Sequence, residues 1–292
     1  MTKPVIGFIG LGLMGGNMVE NLQNKGFELV VMDLNKDAVA KVVARGATTA
    51  SSAKELAAAS DIVMLCLTTS KVVESLVYAE DGILAGIREG AVLIDFGTSI
   101  PASTRKIGAD LASKGAGMID APLGRTPAHA KDGLLNIMAS GDQATFDKVK
   151  PVLELQGENV FYLGALGAGH TTKLINNFMG MTTVATMSQA FAVADFAGVD
   201  RQQLWEIMST GPSMSPFMQF CKNYAVDGVS DLGFSINNAN KDLGYFLEMV
   251  KDLGTESQIA EGTSSNLQAA VDSGLGNGNV PEILDYFLKL EK

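Results

Sequence analysis

The chain has 292 residues, 47% of them hydrophobic and 18% charged, with a formal net charge of −10 and an isoelectric point near 4.7. That length suits one large domain or two ordinary ones, and the apolar share supports a substantial core. The acidic balance excludes the basic face that nonspecific nucleic-acid or anionic-membrane binding requires, and no apolar run reaches the ~18 residues of a membrane helix.

The first predicted strand, residues 5–9, is apolar at Val5, Ile6, Phe8 and Ile9, as a strand covered on both faces should be. It runs into Gly10-Leu11-Gly12-Leu13-Met14-Gly15, a G-x-G-x-x-G. Met14, Met18, Leu22 and Phe27 then recur at helical spacing, with Gly26 as a C-cap. Strand, glycine turn and helix together offer backbone N–H groups and a helix N-terminus to a pyrophosphate. The second strand, 28–33, ends on Asp33, about 20 residues beyond the glycines, where an acid bonds the ribose of a dinucleotide. A carboxylate there accepts from a 2′-OH and repels a 2′-phosphate, and no arginine precedes Arg45, so the expected cofactor is NAD rather than NADP. Gly10, Gly12, Leu13, Met14, Gly15 and Asp33 are the expected contacts.

Further short apolar strands follow at 61–67, 91–95, 117–120, 134–139 and 159–163, with a helix at 143–155. Alternating strands and helices predict a mostly parallel, doubly wound sheet, a Rossmann domain over residues 1–164. Ligands of such sheets bind beyond the carboxyl ends of the strands. Leu67 and Thr68 are therefore candidates for the adenosine side and Thr98 for the nicotinamide end. Gly124-Arg125-Thr126, after Asp120-Ala121-Pro122, is a candidate substrate loop, because a guanidinium grips a carboxylate, phosphate or sulfonate with two hydrogen bonds. Asp120 reads as a residue that orients its own turn.

At Gly164–Gly169 the pattern changes. Residues 171–197 form a long apolar helix with a single cation, Lys173, expected to be buried all round and to run between two domains. Helices at 201–209, 216–225, 238–253, 256–272 and 281–290 complete an all-α part, so the second domain spans 165–292. A lysine in an apolar segment is costly unless it is paired or works. Asn177, four residues on, shares its helix face, and Gly167 and Gly169 let backbone or ligand approach just upstream. An ammonium there can stabilise and protonate the oxygen of a carbonyl that gains a hydride, and take the proton back in the oxidative direction. The competing reading is a lysine at a helix's first turn reaching solvent. Two cysteines, Cys66 and Cys221, give neither a disulfide framework nor a thiolate metal site, and His129 and His170 lack ligand spacing. No metal is expected. With the first strand starting almost at once, the expected location is the cytoplasm.

Taken in order, residues 7–15, Asp95–Thr98, Asp120-Ala121-Pro122, Gly167-x-Gly169-x-x-x-Lys173-x-x-Asn176-Asn177 and Lys241-Asp242-Leu243 resemble the β-hydroxyacid dehydrogenase family over essentially the whole chain. That resemblance implies Lys173 as catalytic acid/base, Asn177 holding substrate and lysine, and Thr98 and Lys241 bordering the nicotinamide. It sets Asn176 beside Asn177 at the substrate and implies a homodimer or homotetramer joined through the helical domain. Lys173 argues against the imine reductases and the catalytically dead members. Where most of the family has Ser-Gly-Gly, this chain has Gly124-Arg125-Thr126, which looks like the sulfolactaldehyde reductase branch. Gly180 departs from that branch, where a serine is expected to face the anionic head. The expected substrate is a small anionic aldehyde or hydroxy acid.

Overall fold

The computed structural model describes residues 3–212 and 214–290. Its first part alternates strand and helix: β1 (Ile6–Ile9), α1 (Leu13–Asn24), β2 (Leu29–Met32), α2 (Lys36–Val43), β3 (Thr48–Thr49), α3 (Ala53–Ala59), β4 (Ile62–Leu65), α4 (Ser70–Tyr78), α5 (Ile83–Gly86) and β5 (Val92–Asp95). It continues with α6 (Pro101–Ala112), β6 (Gly117–Asp120), β7 (Leu123–Gly124), α7 (Pro127–Asp132), β8 (Leu135–Gly141), α8 (Gln143–Gln156) and β9 (Gly157–Tyr162). The nine-stranded sheet runs β3-β2-β1-β4-β5-β6-β8-β7, with β9 on β8. Pairing is parallel from β3 to β6 and between β8 and β9, and antiparallel where β8 meets β6 and β7. This is a Rossmann-type domain with a mostly parallel sheet.

β1, β4 and β5 are buried throughout because helices cover both faces. Phe8 packs with Met18, Leu22 and Phe146 on one side, whereas Ile9 packs with Leu56, Val73 and Ile107 on the other. β3 and β7 escaped the sequence reading, since two residues cannot show an alternation.

The remainder is helical: α9 (Ala168–Phe196), α10 (Arg201–Ser209), α11 (Pro216–Ala225), α12 (Ile236–Asp252), α13 (Gln258–Ala270) and α14 (Ile283–Leu288). The one β contact among the described residues here is an isolated bridge between Ser235 and Asn279. α13 starts later than 256 because the Ser257 hydroxyl accepts the Ala260 N–H and caps it. Leu174, Val184, Phe191, Ile236, Leu243 and Phe287 belong to a core of this part's own. By Cα packing the chain divides into two compact units, residues up to Lys173 and those from Leu174 on. α9 is not buried all round: Ile175, Met179, Val193 and Phe196 stand exposed along one stripe. A uniformly apolar helix hides which of its faces meets the core. No helix among the described residues is long and apolar enough to cross a membrane.

Candidate active site

The β1–α1 turn is shaped by its glycines. Gly10 has φ +100°, and a Cβ there would come 2.3 Å from the Cys66 carbonyl oxygen; a Cβ on Gly15 would come 1.9 Å from the Gly10 carbonyl oxygen. Those two glycines let strand, turn and helix pack. Gly12 differs: a Cβ there would meet nothing within 4 Å. As N-cap of α1, Gly12 brings no side chain to the leading amides, and no acid stands in the first turn. Four other helices of this unit, α2, α3, α4 and α8, have side-chain caps, from Asn35, Ser52, Thr69 and Asp142. Open space at Gly12 and a helix start without a side-chain cap fit a pyrophosphate.

Asp33 follows β2 directly. Its Oδ2 accepts the Leu11 N–H at 2.5 Å and its Oδ1 the Asn35 N–H at 2.7 Å, so the carboxylate joins the glycine turn to the end of β2. Each oxygen keeps acceptor capacity for a ribose hydroxyl. Leu13 and Leu34 flank this turn almost fully exposed, and Met14 is half-buried. Leu67 and Thr68 follow β4, next to β1 in the sheet, and Thr98 follows β5. A Cβ on Gly97 would lie 3.0 Å from the Leu67 carbonyl oxygen, so the loops after β4 and β5 touch. Burial and the nearby Asp95 carboxylate push the Cys66 thiol up to about 12, which leaves it un-ionised at neutral pH.

Gly124 ends β7, and Thr126 stands at the N-cap position of α7 without a side-chain bond to its amides, its Oγ1 2.7 Å from His129 Nδ1. Asn17 and Asn21 on α1 donate to the Pro127 and Lys131 carbonyl oxygens at 2.9 and 3.1 Å, fastening α7 to the glycine-turn helix. Arg125 is the one described non-glycine residue at positive φ, +75°. Its guanidinium donates to the Leu134 carbonyl oxygen at 2.7 Å and pairs with Glu158. Arg125 is thus already partnered by a carboxylate, which the sequence did not foretell.

Gly167 and Gly169 serve backbone packing rather than a ligand: Gly167 has φ +90°, and a Cβ on Gly169 would come 2.2 Å from the Met138 carbonyl oxygen. Lys173 lies in the second turn of α9, half-buried, with Asn176 and Asn177 one turn on. In the second unit, Asn177 is buried and donates through Nδ2 to Asp242 Oδ2 at 2.6 Å; Lys241 Nζ lies 2.9 Å from Asp242 Oδ1 and 5.3 Å from the Tyr245 ring centroid. Asp242, 2% exposed, holds two predicted site residues. The Lys241-Asp242 dipeptide was visible in the sequence, but the asparagine that Asp242 binds lies 65 residues away.

The family model described as the NAD binding domain of 6-phosphogluconate dehydrogenase matches residues 5–164. One described as NAD-binding of NADP-dependent 3-hydroxyisobutyrate dehydrogenase matches residues 167–287. The chain belongs to the β-hydroxyacid dehydrogenase family. It is 30% identical to 2-(hydroxymethyl)glutarate dehydrogenase of Eubacterium barkeri, over 97% of this chain and 95% of that one. It is 31% identical to 3-sulfolactaldehyde reductase of Escherichia coli K12, over 96% and 94%. A crystal structure of 3-hydroxyisobutyrate dehydrogenase from Salmonella typhimurium superimposes with a TM-score of 0.85 at 26% identity, covering 97% of this chain and all of that one. Like its family, the chain is an NAD-dependent oxidoreductase of hydroxy acids.

Proposed function

We propose that the chain reduces a short semialdehyde with an anionic tail, using NADH, and runs reversibly as a β-hydroxyacid dehydrogenase. The leading substrate is 3-sulfolactaldehyde, giving 2,3-dihydroxypropane-1-sulfonate. The observation that carries the reading is Lys173 on α9, one turn before an asparagine that a buried carboxylate holds in place. Gly10, Gly12, Leu13, Met14, Gly15, Asp33, Leu67 and Thr68 hold the dinucleotide, and Thr98 and Lys241 border its nicotinamide. Bound NADH supplies the hydride, and NAD⁺ accepts it in reverse.

Lys173 stabilises negative charge on the carbonyl oxygen and delivers the proton that completes the alcohol; in oxidation it removes that proton. Asn177, fixed by Asp242, orients the oxygen and the lysine, with Asn176 beside it. Arg125 takes the sulfonate, with Gly124 and Thr126 shaping the loop. To do so its guanidinium exchanges Glu158 for the substrate. That pair is 30% and 52% exposed, so the exchange costs only about 0–1 kcal/mol. The exposed stripe of α9 supports a homo-oligomer.

A second reading follows from Gly180. A Cβ there would come 2.6 Å from the Phe217 ring, so a serine facing the anionic head would require that ring to shift. A tail recognised without that hydroxyl favours 3-hydroxyisobutyrate, tartronate semialdehyde or succinic semialdehyde as the substrate pair's member. Assaying 3-sulfolactaldehyde, tartronate, succinic and methylmalonate semialdehydes with NADH and NADPH decides. The proposal expects the highest kcat/KM with 3-sulfolactaldehyde and at least a tenfold NADH preference. Another semialdehyde in front moves the substrate to the second reading, equal use of NADPH contradicts the role of Asp33, and no turnover of any of the four overturns the proposal.

A further inference from the structure

A row of polar residues crosses three neighbouring strands at their ends. Asp95 pairs in register with Asp120, and Asp120 with Ser140. All three are buried, at 1%, 0% and 0% exposure. Carboxylates in such a place are tolerable only when well bonded. Asp120 Oδ1 accepts the Gly167 N–H at 2.8 Å and the Ser140 hydroxyl, and its Oδ2 accepts the His170 N–H at 2.7 Å. Ser140 Oγ accepts the Gly169 N–H at 2.9 Å, and the Ala168 N–H finds the Ala165 carbonyl oxygen at 3.1 Å. The four leading amides of α9, which lack intrahelical acceptors, are thereby all satisfied, three of them by side chains from the sheet.

Asp95 shapes the neighbouring loop: its Oδ1 accepts the Gly97 N–H at 2.8 Å and its Oδ2 the Ser99 hydroxyl at 2.8 Å, on either side of Thr98. Between the two carboxylates lies the fully buried His170 ring. Its Nδ1 is 2.8 Å from Thr104 Oγ1 on α6 and 3.8 Å from Asp120 Oδ2; its Nε2 makes no hydrogen bond and lies 3.7 Å from Asp95 Oδ2. Among the described residues no group of three or more His, Cys, Asp or Glu is arranged to hold a metal ion.

We propose that Asp120, Ser140 and His170 are positioning residues for Lys173. They fix the height and rotation of α9 at its first turn, and His170 ties that turn through Thr104 to α6, the helix that follows the loop carrying Thr98. Lys173 is three residues beyond His170, about one turn along, so any slip at the cap reaches its ammonium directly. The inference rests on the reading of Lys173 as the acid/base. A misplacement of about 1 Å at a reacting group costs on the order of 100-fold in rate.

The test uses Asp120→Asn, which sets an NH₂ among N–H donors, and His170→Phe, which keeps an aromatic ring but removes the nitrogens, with His170→Asn as the conservative variant. Each is assayed with NADH and the fastest of the four semialdehydes, with the NADH dissociation constant and the pH profile of kcat measured alongside. Expected are a kcat drop of 30-fold or more in Asp120→Asn and His170→Phe, and NADH binding within twofold. The pH-profile limb set by Lys173 should be displaced, with at least tenfold recovery in His170→Asn. A folded variant with kcat within threefold of the parent overturns the proposal. Should Asp120→Asn or His170→Phe not fold, Ser140→Ala and Thr104→Val replace them. Three- to tenfold losses in kcat at unchanged NADH binding support the proposal, and unchanged kcat in both overturns it. Lys173→Ala run beside them separates the two claims: if it is inactive while these variants are not, only the positioning role fails.

Discussion

Replacing Gly12 by alanine separates what the glycine turn does for the fold from what it does for the dinucleotide. A Cβ at Gly12 meets no protein atom within 4 Å, and its backbone, φ −65° and ψ −164°, suits alanine. The unbound protein should therefore melt no lower than the parent and at most a few degrees higher, since a compatible Gly→Ala change gains at most ~0.4–1 kcal/mol. At Gly15 the added carbon would stand 1.9 Å from the Gly10 carbonyl oxygen, so the strand and helix must move apart and stability must fall. In Gly12→Ala the new methyl would enter the space proposed for the pyrophosphate, and loss of one N–H bond to a charged phosphate would remove about 1.5–3 kcal/mol. At 1.4 kcal/mol per tenfold, NADH affinity should fall roughly ten- to 100-fold. Fluorescence titration with NADH and a thermal melt read both quantities. Unchanged NADH affinity in Gly12→Ala would refute the assignment of that space to the cofactor.

Two further substitutions address the substrate side. Glu158→Gln frees Arg125 of its carboxylate and should lower KM for the sulfonate aldehyde about two- to fivefold, as a weak exposed pair implies. Arg125→Ser should raise that KM tenfold or more, and KM unmoved in both variants removes Arg125 from the tail site. Asp242→Asn keeps the shape but turns a charge-assisted bond to Asn177 into a neutral one and removes the carboxylate charge beside Lys241. A loss of about 1–3 kcal/mol corresponds to a five- to 100-fold fall in kcat/KM, and a value within twofold of the parent contradicts the role given to Asp242.

Local chemistry carried most of what the sequence revealed. Buried strands announce themselves as short apolar runs, and α10 and α11 were legible residue for residue because Asp200 and Pro216 mark their starts. The glycine turn and Asp33 were readable because motif and ligand chemistry coincide within one strand–helix–strand unit. What stayed hidden depends on partners far apart in the chain. Glu158 lies 33 residues from Arg125, and Asp120 meets Gly167 and His170 only through sheet register. Asp120 looked like a turn residue and is instead the outside cap of α9. The glycines before Lys173 looked equally suited to ligand or backbone, and the Met138 carbonyl oxygen resolves that ambiguity in favour of backbone.

The most direct test of the account is Lys173→Ala. NADH affinity, measured by fluorescence, should stay within twofold of the parent. Single-turnover oxidation of bound NADH by the preferred semialdehyde should slow by about 10²–10⁴-fold, the range of a lost general acid. NADH binding at parental strength with hydride transfer within threefold of the parental rate would contradict the claim that Lys173 handles the proton.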